Sequence, residues 1–107
     1  MEKRRHFKAS VTYLGTEDGG IATPVSSGFR AVIRFPYDNR DYIASQTFLE
    51  SEIIFAGDTT TADFFLPEAQ EILEKVYAGL DFDILLNLKM VGSGVITEIY
   101  PINTNSN

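Results

Sequence analysis

The chain has 107 residues, of which 44% are hydrophobic and 22% charged, with a formal net charge of -6 and no cysteine. This composition indicates one folded domain and excludes a disulfide framework, a thiol nucleophile and a membrane-spanning run of about 20 apolar residues. The charged N-terminus lacks the apolar core of a signal peptide, so a cytoplasmic protein is expected.

The first half of the chain alternates strand patterns with turns. Residues 7–14 place apolar and polar side chains in strict alternation, which is the period of a half-buried strand. The next segment is predicted as a long loop, because it contains Pro24 and proline is excluded from central strands. Residues 29–35 and 41–48 are rich in aromatic and β-branched side chains and are predicted as the second and third strands.

The second half adds further strands and one helix. Residues 59–66 are predicted as a strand, and Pro67 then opens a predicted helix over 67–78, whose apolar stripe ends with Val76 and Tyr77. Residues 80–88 and 95–100 are predicted as the last two strands, with the small residues Val91-Gly92-Ser93-Gly94 as the hairpin between them. The absence of a βαβ rhythm predicts a mostly β domain, either a closed antiparallel barrel or a sandwich.

The order of the turn residues along the chain is more specific than the number of strands. The relevant segments are Asp18-Gly19-Gly20, Thr23-Pro24, Ser27-Gly28-Phe29-Arg30, Ala56-Gly57-Asp58, Leu80-Asp81-Phe82 and Val91-Gly92-Ser93-Gly94-Val95-Ile96-Thr97. In this order, from about Phe7 to Tyr100, the chain resembles the C-terminal β-barrel domain of elongation factor Tu, here as a stand-alone protein without the GTPase domain.

This resemblance implies a six-stranded antiparallel Greek-key barrel. The helix at about 67–78 is then an insertion that replaces a shorter connection in the family. The barrel is predicted to occupy residues 7–100, between a flexible basic N-terminus at 1–6 and a polar tail at 101–107.

The chain departs from the family at the residues that act on nucleotides and tRNA. It has neither the phosphate-binding G-x-x-x-x-G-K-[ST] loop nor an Asn-Lys-x-Asp guanine reader, so no GTP binding is expected. Ile21 and Ala22 stand where the resemblance implies an Arg and a His that help grip tRNA. The resemblance also implies an acidic residue, two glycines and a basic residue before the last Val-Gly segment. This chain has Leu86, Asn87, Leu88 and Lys89 there, and only Lys89 keeps the charge.

The charge distribution favours a protein partner over nucleic acid. From residue 9 onward there are five basic and fourteen acidic residues, a balance that repels phosphate backbones and suits a basic protein. Arginines near aromatic side chains are typical of interface anchors, although ion pairs within the chain are the alternative for Arg30 and Arg34. The candidate partner-binding residues are Arg30, Arg34, Tyr37, Lys89, Glu71 and Glu74.

No catalytic, cofactor-binding or metal-binding residue is predicted. His6 is the only histidine and lies in the N-terminal segment, where we expect it to be solvated. Asp58 is predicted to cap a turn, and Asp63, Asp81 and Asp83 to lie on solvated strand faces without the spacing of a calcium loop. An enzyme built on carboxylates is therefore a distant alternative.

The leading hypothesis is a non-enzymatic binding module that acts by protein–protein contact. It would mimic the surface of the elongation factor and so engage a translation component, or a basic toxin in the manner of an immunity protein. The alternative is a tRNA-related RNA-binding accessory protein that uses the N-terminal basic segment, Arg30, Arg34 and Lys89. Self-association through a barrel edge or the inserted helix is a further open role.

Overall fold

The computed structural model describes residues 5–38, 40–67 and 74–101. Within these ranges the chain forms a series of strands and one short 3-10 helix. In chain order they are β1 (Phe7–Tyr13), the 3-10 helix (Thr16–Asp18), β2 (Val25–Ser26), β3 (Phe29–Arg34), β4 (Tyr42–Phe48), β5 (Ile53–Ile54), β6 (Thr59–Phe65), β7 (Asp81–Leu86) and β8 (Lys89–Ile99).

Six of these strands close into a barrel in the order β1-β6-β4-β3-β7-β8, and all neighbouring pairs are antiparallel. The successive strands β3, β4 and β6 lie side by side, and β1 lies beside β6, which is a Greek-key arrangement. The predicted all-β fold with a six-stranded antiparallel barrel is confirmed. The segments predicted as loops before β3 and before β6 also contribute the two-stranded sheet β2-β5.

Aromatic rings fill the centre of the barrel. Phe7 on β1 stacks on Phe64 of β6 with ring centroids 5.2 Å apart. Phe82 on β7 contacts Phe7, Phe35 and Phe64 edge-on, at centroid distances of 5.9, 5.9 and 5.3 Å. These rings are at most 2% exposed, so the alternation seen in the sequence places one face of each strand in a single core.

One polar pair lies inside this core. The hydroxyl of Tyr13 on β1 donates a hydrogen bond of 2.8 Å to Oε1 of Gln46 on β4. Burial raises the pKa of Tyr13, and the bond to Gln46 opposes that effect. The Nε2 amide of Gln46 finds no partner among the described residues. The pair therefore links two strands that are separated in the barrel by β6.

The last hairpin turns at Asn87 and Leu88, which have positive φ values of 56° and 68°. The prediction of a hairpin at residues 91–94 is wrong, because Gly92 and Gly94 lie within β8 and serve close packing instead. A Cβ atom on Gly94 would lie 2.5 Å from the Phe82 ring, and one on Gly92 would lie 2.7 Å from a backbone carbonyl of β1.

The helix predicted at 67–78 falls mainly on residues 68–73, which lie outside the described residues. Its described flanks, Pro67 and residues 74–78, are not α-helical. Tyr77 accepts a backbone hydrogen bond from Leu80, with Gly79 at a φ of 101°. In the described part of the chain, no helix has the length and apolarity needed to cross a membrane.

Because neighbouring strands are antiparallel, the connections between them lie at the two ends of the barrel. We call the end that carries both termini of the barrel the terminal end, and the end that carries the β7-β8 turn the hairpin end. The terminal end consists of residues 5–6, 35–38, 40–41, 66–67, 74–80 and 100–101. The hairpin end consists of residues 14–28, 49–58 and 87–88.

Candidate interaction surface

The candidate partner-binding residues do not form one site. Tyr37 and Glu74 belong to the terminal end, Arg30 and Arg34 lie on the outer face of β3, and Lys89 starts β8 next to the hairpin end. Glu71 lies outside the described residues. The barrel thus divides the candidates between its two ends and one wall.

Arg34 is held by an ion pair within the chain. Its Nε donates to Oδ1 of Asp41 at 2.7 Å, and its second nitrogen donates to Oδ2 at 3.1 Å. This forked hydrogen bond lowers the pKa of Asp41 and raises that of Arg34. Arg30 is exposed opposite Ser45, and no ion pair of Arg30 is found within the described ranges.

The terminal end carries an ordered cluster of aromatic, acidic and basic groups. The Tyr37 ring stacks on buried Phe35 at 6.0 Å, and Tyr42 packs on Phe35 at the same distance. The Tyr42 hydroxyl donates to Asp38 at 2.7 Å and lowers the pKa of that carboxyl. Arg40 lies 5.5 Å from the Tyr42 ring centroid and donates its backbone N–H to Asp38. These contacts fix the loop between β3 and β4.

Two tyrosines of the terminal end are exposed. Tyr37 is 47% and Tyr77 is 57% exposed. Partial burial raises the pKa of Tyr37, and the charge of Asp38 raises it further, with smaller contributions from Tyr42 and Tyr77. The position of Tyr77 differs from the prediction that it belongs to a buried helical stripe. We call Tyr37 and Tyr77 the tyrosine pair.

The positions at which the resemblance implies tRNA contact lie at or beside the hairpin end. Ile21 is only 4% exposed and belongs to the core, whereas Ala22 is exposed. Leu86 packs against the core from the end of β7, and Asn87 forms part of the turn. Lys89 is exposed, and it is the one basic residue among these positions.

Among the carboxylates, Asp63 differs most from its prediction. It was expected on a solvated face, but it is only 3% exposed, because the two chain ends cover it. Its Oδ1 accepts a hydrogen bond of 2.5 Å from Tyr100, and its Oδ2 lies 3.4 Å from Arg5. Burial and the hydrogen bond to Asp63 raise the pKa of Tyr100 to about 12.

His6 also departs from its prediction as a solvated side chain. Its Nδ1 accepts a hydrogen bond of 3.1 Å from the backbone of Leu66, and its ring stacks on Phe65 at 5.1 Å. The backbone carbonyl of His6 accepts a bond from Tyr100 at 3.0 Å. These contacts place His6, just before β1, next to the end of β6.

The remaining carboxylates are spread over the barrel. Asp58 accepts a hydrogen bond of 2.8 Å from the backbone of Phe55, so the prediction that it caps a turn is confirmed. Asp81 and Asp83 are exposed on β7, as predicted, and β7 is separated from β6 by two other strands. The four candidate carboxylates therefore do not share a site.

The molecule is a closed Greek-key barrel domain with aromatic and charged groups fixed at one end. No protein-family model matches the chain. The chain is similar to "Elongation factor Tu 2" of Streptomyces avermitilis, with 30% identity over 95 residues that cover 89% of this chain. It spans 23% of the length of that relative. The match and the barrel are consistent with a domain like the C-terminal domain of elongation factor Tu.

Proposed function

We propose that the domain is a non-enzymatic binding module that acts by protein–protein contact. The observation that carries this proposal is the tyrosine pair at the terminal end, where Tyr37 and Tyr77 are about half exposed. Tyrosine and arginine are enriched among the residues that dominate binding energies at protein interfaces. Arg40, at the same end of the barrel, adds an arginine in contact with the Tyr42 ring.

The framework below Tyr37 favours binding because it holds the ring before a partner arrives. Tyr37 stacks on Phe35, which is 1% exposed, and the adjacent Asp38 is bonded to Tyr42. A side chain that is already ordered loses less conformational entropy when it binds. The tyrosine pair thus has the properties of a preformed contact surface.

The charges favour a basic protein in a translation-linked or immunity-type role. The net charge of -6 attracts basic proteins and repels RNA. Ile21 lies in the core, so its side chain does not face solvent as a tRNA-gripping arginine would. We infer that a cytoplasmic translation component or a basic toxin, rather than tRNA, binds this barrel.

The test is affinity capture from native lysate with the tagged chain, washed at low and then at high salt, with both protein and RNA identified. We expect one protein to survive the high-salt wash. A chain with Tyr37→Ala and Tyr77→Ala should retain it at least about tenfold less, since truncating a hot-spot tyrosine costs about 2 kcal/mol or more and 1.4 kcal/mol is tenfold. Thr47→Ala, an exposed change near the far end of β4, is the matched control.

RNA binding is the outcome that would overturn this proposal. RNA captured at low salt and released at high salt would support the tRNA-related alternative, because phosphate contacts weaken steeply with salt. Equal protein retention by the tyrosine variant and the Thr47 control would remove the tyrosine pair from the interface.

A further inference from the structure

Leu88 occupies a position that the fold does not favour. It is 87% exposed, more than any other large hydrophobic side chain in the described part of the chain. Its backbone is left-handed, with a φ of 68°. Left-handed conformations are unfavourable for residues with a branched side chain, and an exposed leucine gains no burial.

The turn itself explains which residue would fit. Leu86 pairs with Lys89 across the hairpin, so Asn87 and Leu88 form a two-residue connection with positive φ at both positions. This is the pattern of a type I′ turn, for which Asn-Gly is the preferred sequence. Asn87 meets the preference, and Leu88 stands where glycine would be more stable. The barrel therefore gains nothing visible from the leucine, which favours a role outside the barrel.

The end of the barrel that carries Leu88 also has exposed apolar and acidic groups. At the hairpin end, Leu49, Ile53 and Phe55 are 45%, 52% and 53% exposed. Its exposed carboxylates are Glu17, Asp18, Glu50 and Glu52. The connections 14–28, 49–58 and 87–88 contain no lysine or arginine, and Lys89 is the basic residue directly after the turn. An apolar tip inside an acidic end is complementary to an apolar pocket with a basic rim.

The connections of the hairpin end are joined to one another, so Leu88 stands on a fixed base. Val25 and Ser26 pair with Ile54 and Ile53 in the small sheet. The backbone of Gly57 donates to the carbonyl of Tyr13 at 3.0 Å. A Cβ on Gly19 would lie 3.5 Å from the Lys89 side chain, which places the 3-10 segment beside the last hairpin.

We propose that Leu88 is a binding anchor that enters an apolar pocket on a basic protein, whose rim faces the carboxylates of the hairpin end. This inference rests on the proposed protein-binding function and assigns it a second contact surface, at the end of the barrel opposite the tyrosine pair. RNA and anionic lipid are disfavoured here, because their phosphates would meet carboxylates of the same charge.

The first experiment tests whether the barrel itself needs Leu88. Leu88→Gly should raise the midpoint of urea unfolding of the purified chain, because glycine adopts positive φ without strain. Leu88→Ala is the matched control, since it removes the apolar side chain but keeps a Cβ atom in the left-handed conformation. A lower midpoint for Leu88→Gly than for the unchanged chain would show that the leucine supports the fold, and would overturn the proposal.

The second experiment tests the contact. A photocrosslinking amino acid at position 88 is irradiated in native lysate, and the same group at position 83, which is exposed in the middle of β7, is the control. We expect a covalent adduct to one basic protein from position 88 only. Binding of that protein, once purified, should weaken about tenfold or more with Leu88→Gly and with Leu88→Asp, because both remove the anchor.

The outcomes separate this inference from the proposed function. A protein that binds the chain equally well with Leu88→Gly, but loses affinity with the tyrosine variant, overturns the anchor and leaves the binding module intact. An adduct to RNA, or capture of no protein at all, overturns both.

Discussion

At Gly94 the wall of the barrel and its aromatic core come so close that no side chain fits between them. A Cβ atom there would lie 2.5 Å from one carbon of the Phe82 ring and 3.0 Å from Val11. Gly94 pairs with Phe82 across β7 and β8, so the ring lies over the glycine. The glycine is required by packing and not by a turn.

Gly94→Ala should therefore destabilise the domain by about 1–3 kcal/mol, the usual effect of overpacking a core. The free energy of unfolding in urea measures the change. Gly15→Ala is the control, because its Cβ would have its nearest neighbour at 3.9 Å and its φ is -67°. Similar losses for the two variants would show that the space at Gly94 is not limiting.

For a single residue, the sequence predicts the face of the strand on which the side chain lies. It does not predict which distant residues cover that side chain. Alternation placed Asp63 on the outer face of its strand, and the structure agrees. Its burial depends on Arg5 and Tyr100, which are 58 and 37 residues away along the chain. Periodicity carries no information about such distant neighbours, so neither this contact nor that of His6 was predicted.

Among the strands, the Tyr13–Gln46 pair is the contact that ties β1 to β4 through the interior. Tyr13→Phe should destabilise the domain by about 1–3 kcal/mol, because it leaves the Gln46 carbonyl oxygen buried without a donor. Adding Gln46→Leu should recover most of that loss, since an apolar pair of similar size needs no hydrogen bond. Urea unfolding of the single and double variants measures both effects.

The exposed threonine pair provides the comparison. Thr12 and Thr59 join β1 to β6 through hydroxyl groups 3.1 Å apart on the exposed surface. Thr12→Val should change stability by less than about 0.5 kcal/mol, because water replaces the lost partner.

The double variant at Tyr13 and Gln46 provides the contradicting outcome. If it is no more stable than Tyr13→Phe alone, the loss does not come from a Gln46 side chain left without a hydrogen-bond donor.

The barrel strands were predicted closely, except at the last hairpin. The strands at 7–14 and 41–48 were placed within one residue of β1 and β4, because their alternation or composition is pronounced. The Gly-Ser-Gly stretch predicts a turn, since glycine is among the strongest turn signals, but it lies within β8. The true turn, Asn87–Leu88, lacks the expected glycine and so gave little signal. The small sheet β2-β5 is too short to be detected by periodicity.

The whole molecule should lose stability at high pH through Tyr13 and Tyr100. The pKa of Tyr100 is raised to about 12, mainly by burial, and burial also raises that of Tyr13. An unfolded tyrosine ionises near pH 10, so the stabilisation is complete below that pH and is lost as pH rises toward the folded value. Tyr100→Phe should flatten the fall in unfolding free energy between about pH 9.5 and 11.

Unfolding by urea at several pH values measures this dependence, with Tyr77→Phe as the control because that ring is 57% exposed. An unchanged slope for Tyr100→Phe would show that its hydroxyl does not contribute.

The sequence predicts the candidate surface only in part, because the fold decides which distant residues lie at the same end of the barrel. Tyr37 was identified from its position near arginines, but Tyr77 was assigned to a buried helical stripe. The two tyrosines are 40 positions apart in the sequence and lie at the same end of the barrel only because the β3-β4 and β6-β7 connections emerge there. Arg30, Arg34 and Lys89 look equivalent as charges, yet the barrel separates them.

The start of β1 and the end of β8 lie side by side, since Phe7 pairs with Ile99 and the Tyr100 amide bonds to His6. A support attached close to residues 5–6 or 100–101 would therefore be at the same end as the tyrosine pair and would leave Leu88 pointing into solution. Capture of a partner at the tyrosine pair therefore requires a long flexible linker between tag and barrel, whereas Leu88 stays accessible with a short one. Because the chain has no cysteine, a single Ala22→Cys change would permit attachment at the hairpin end and reverse that bias.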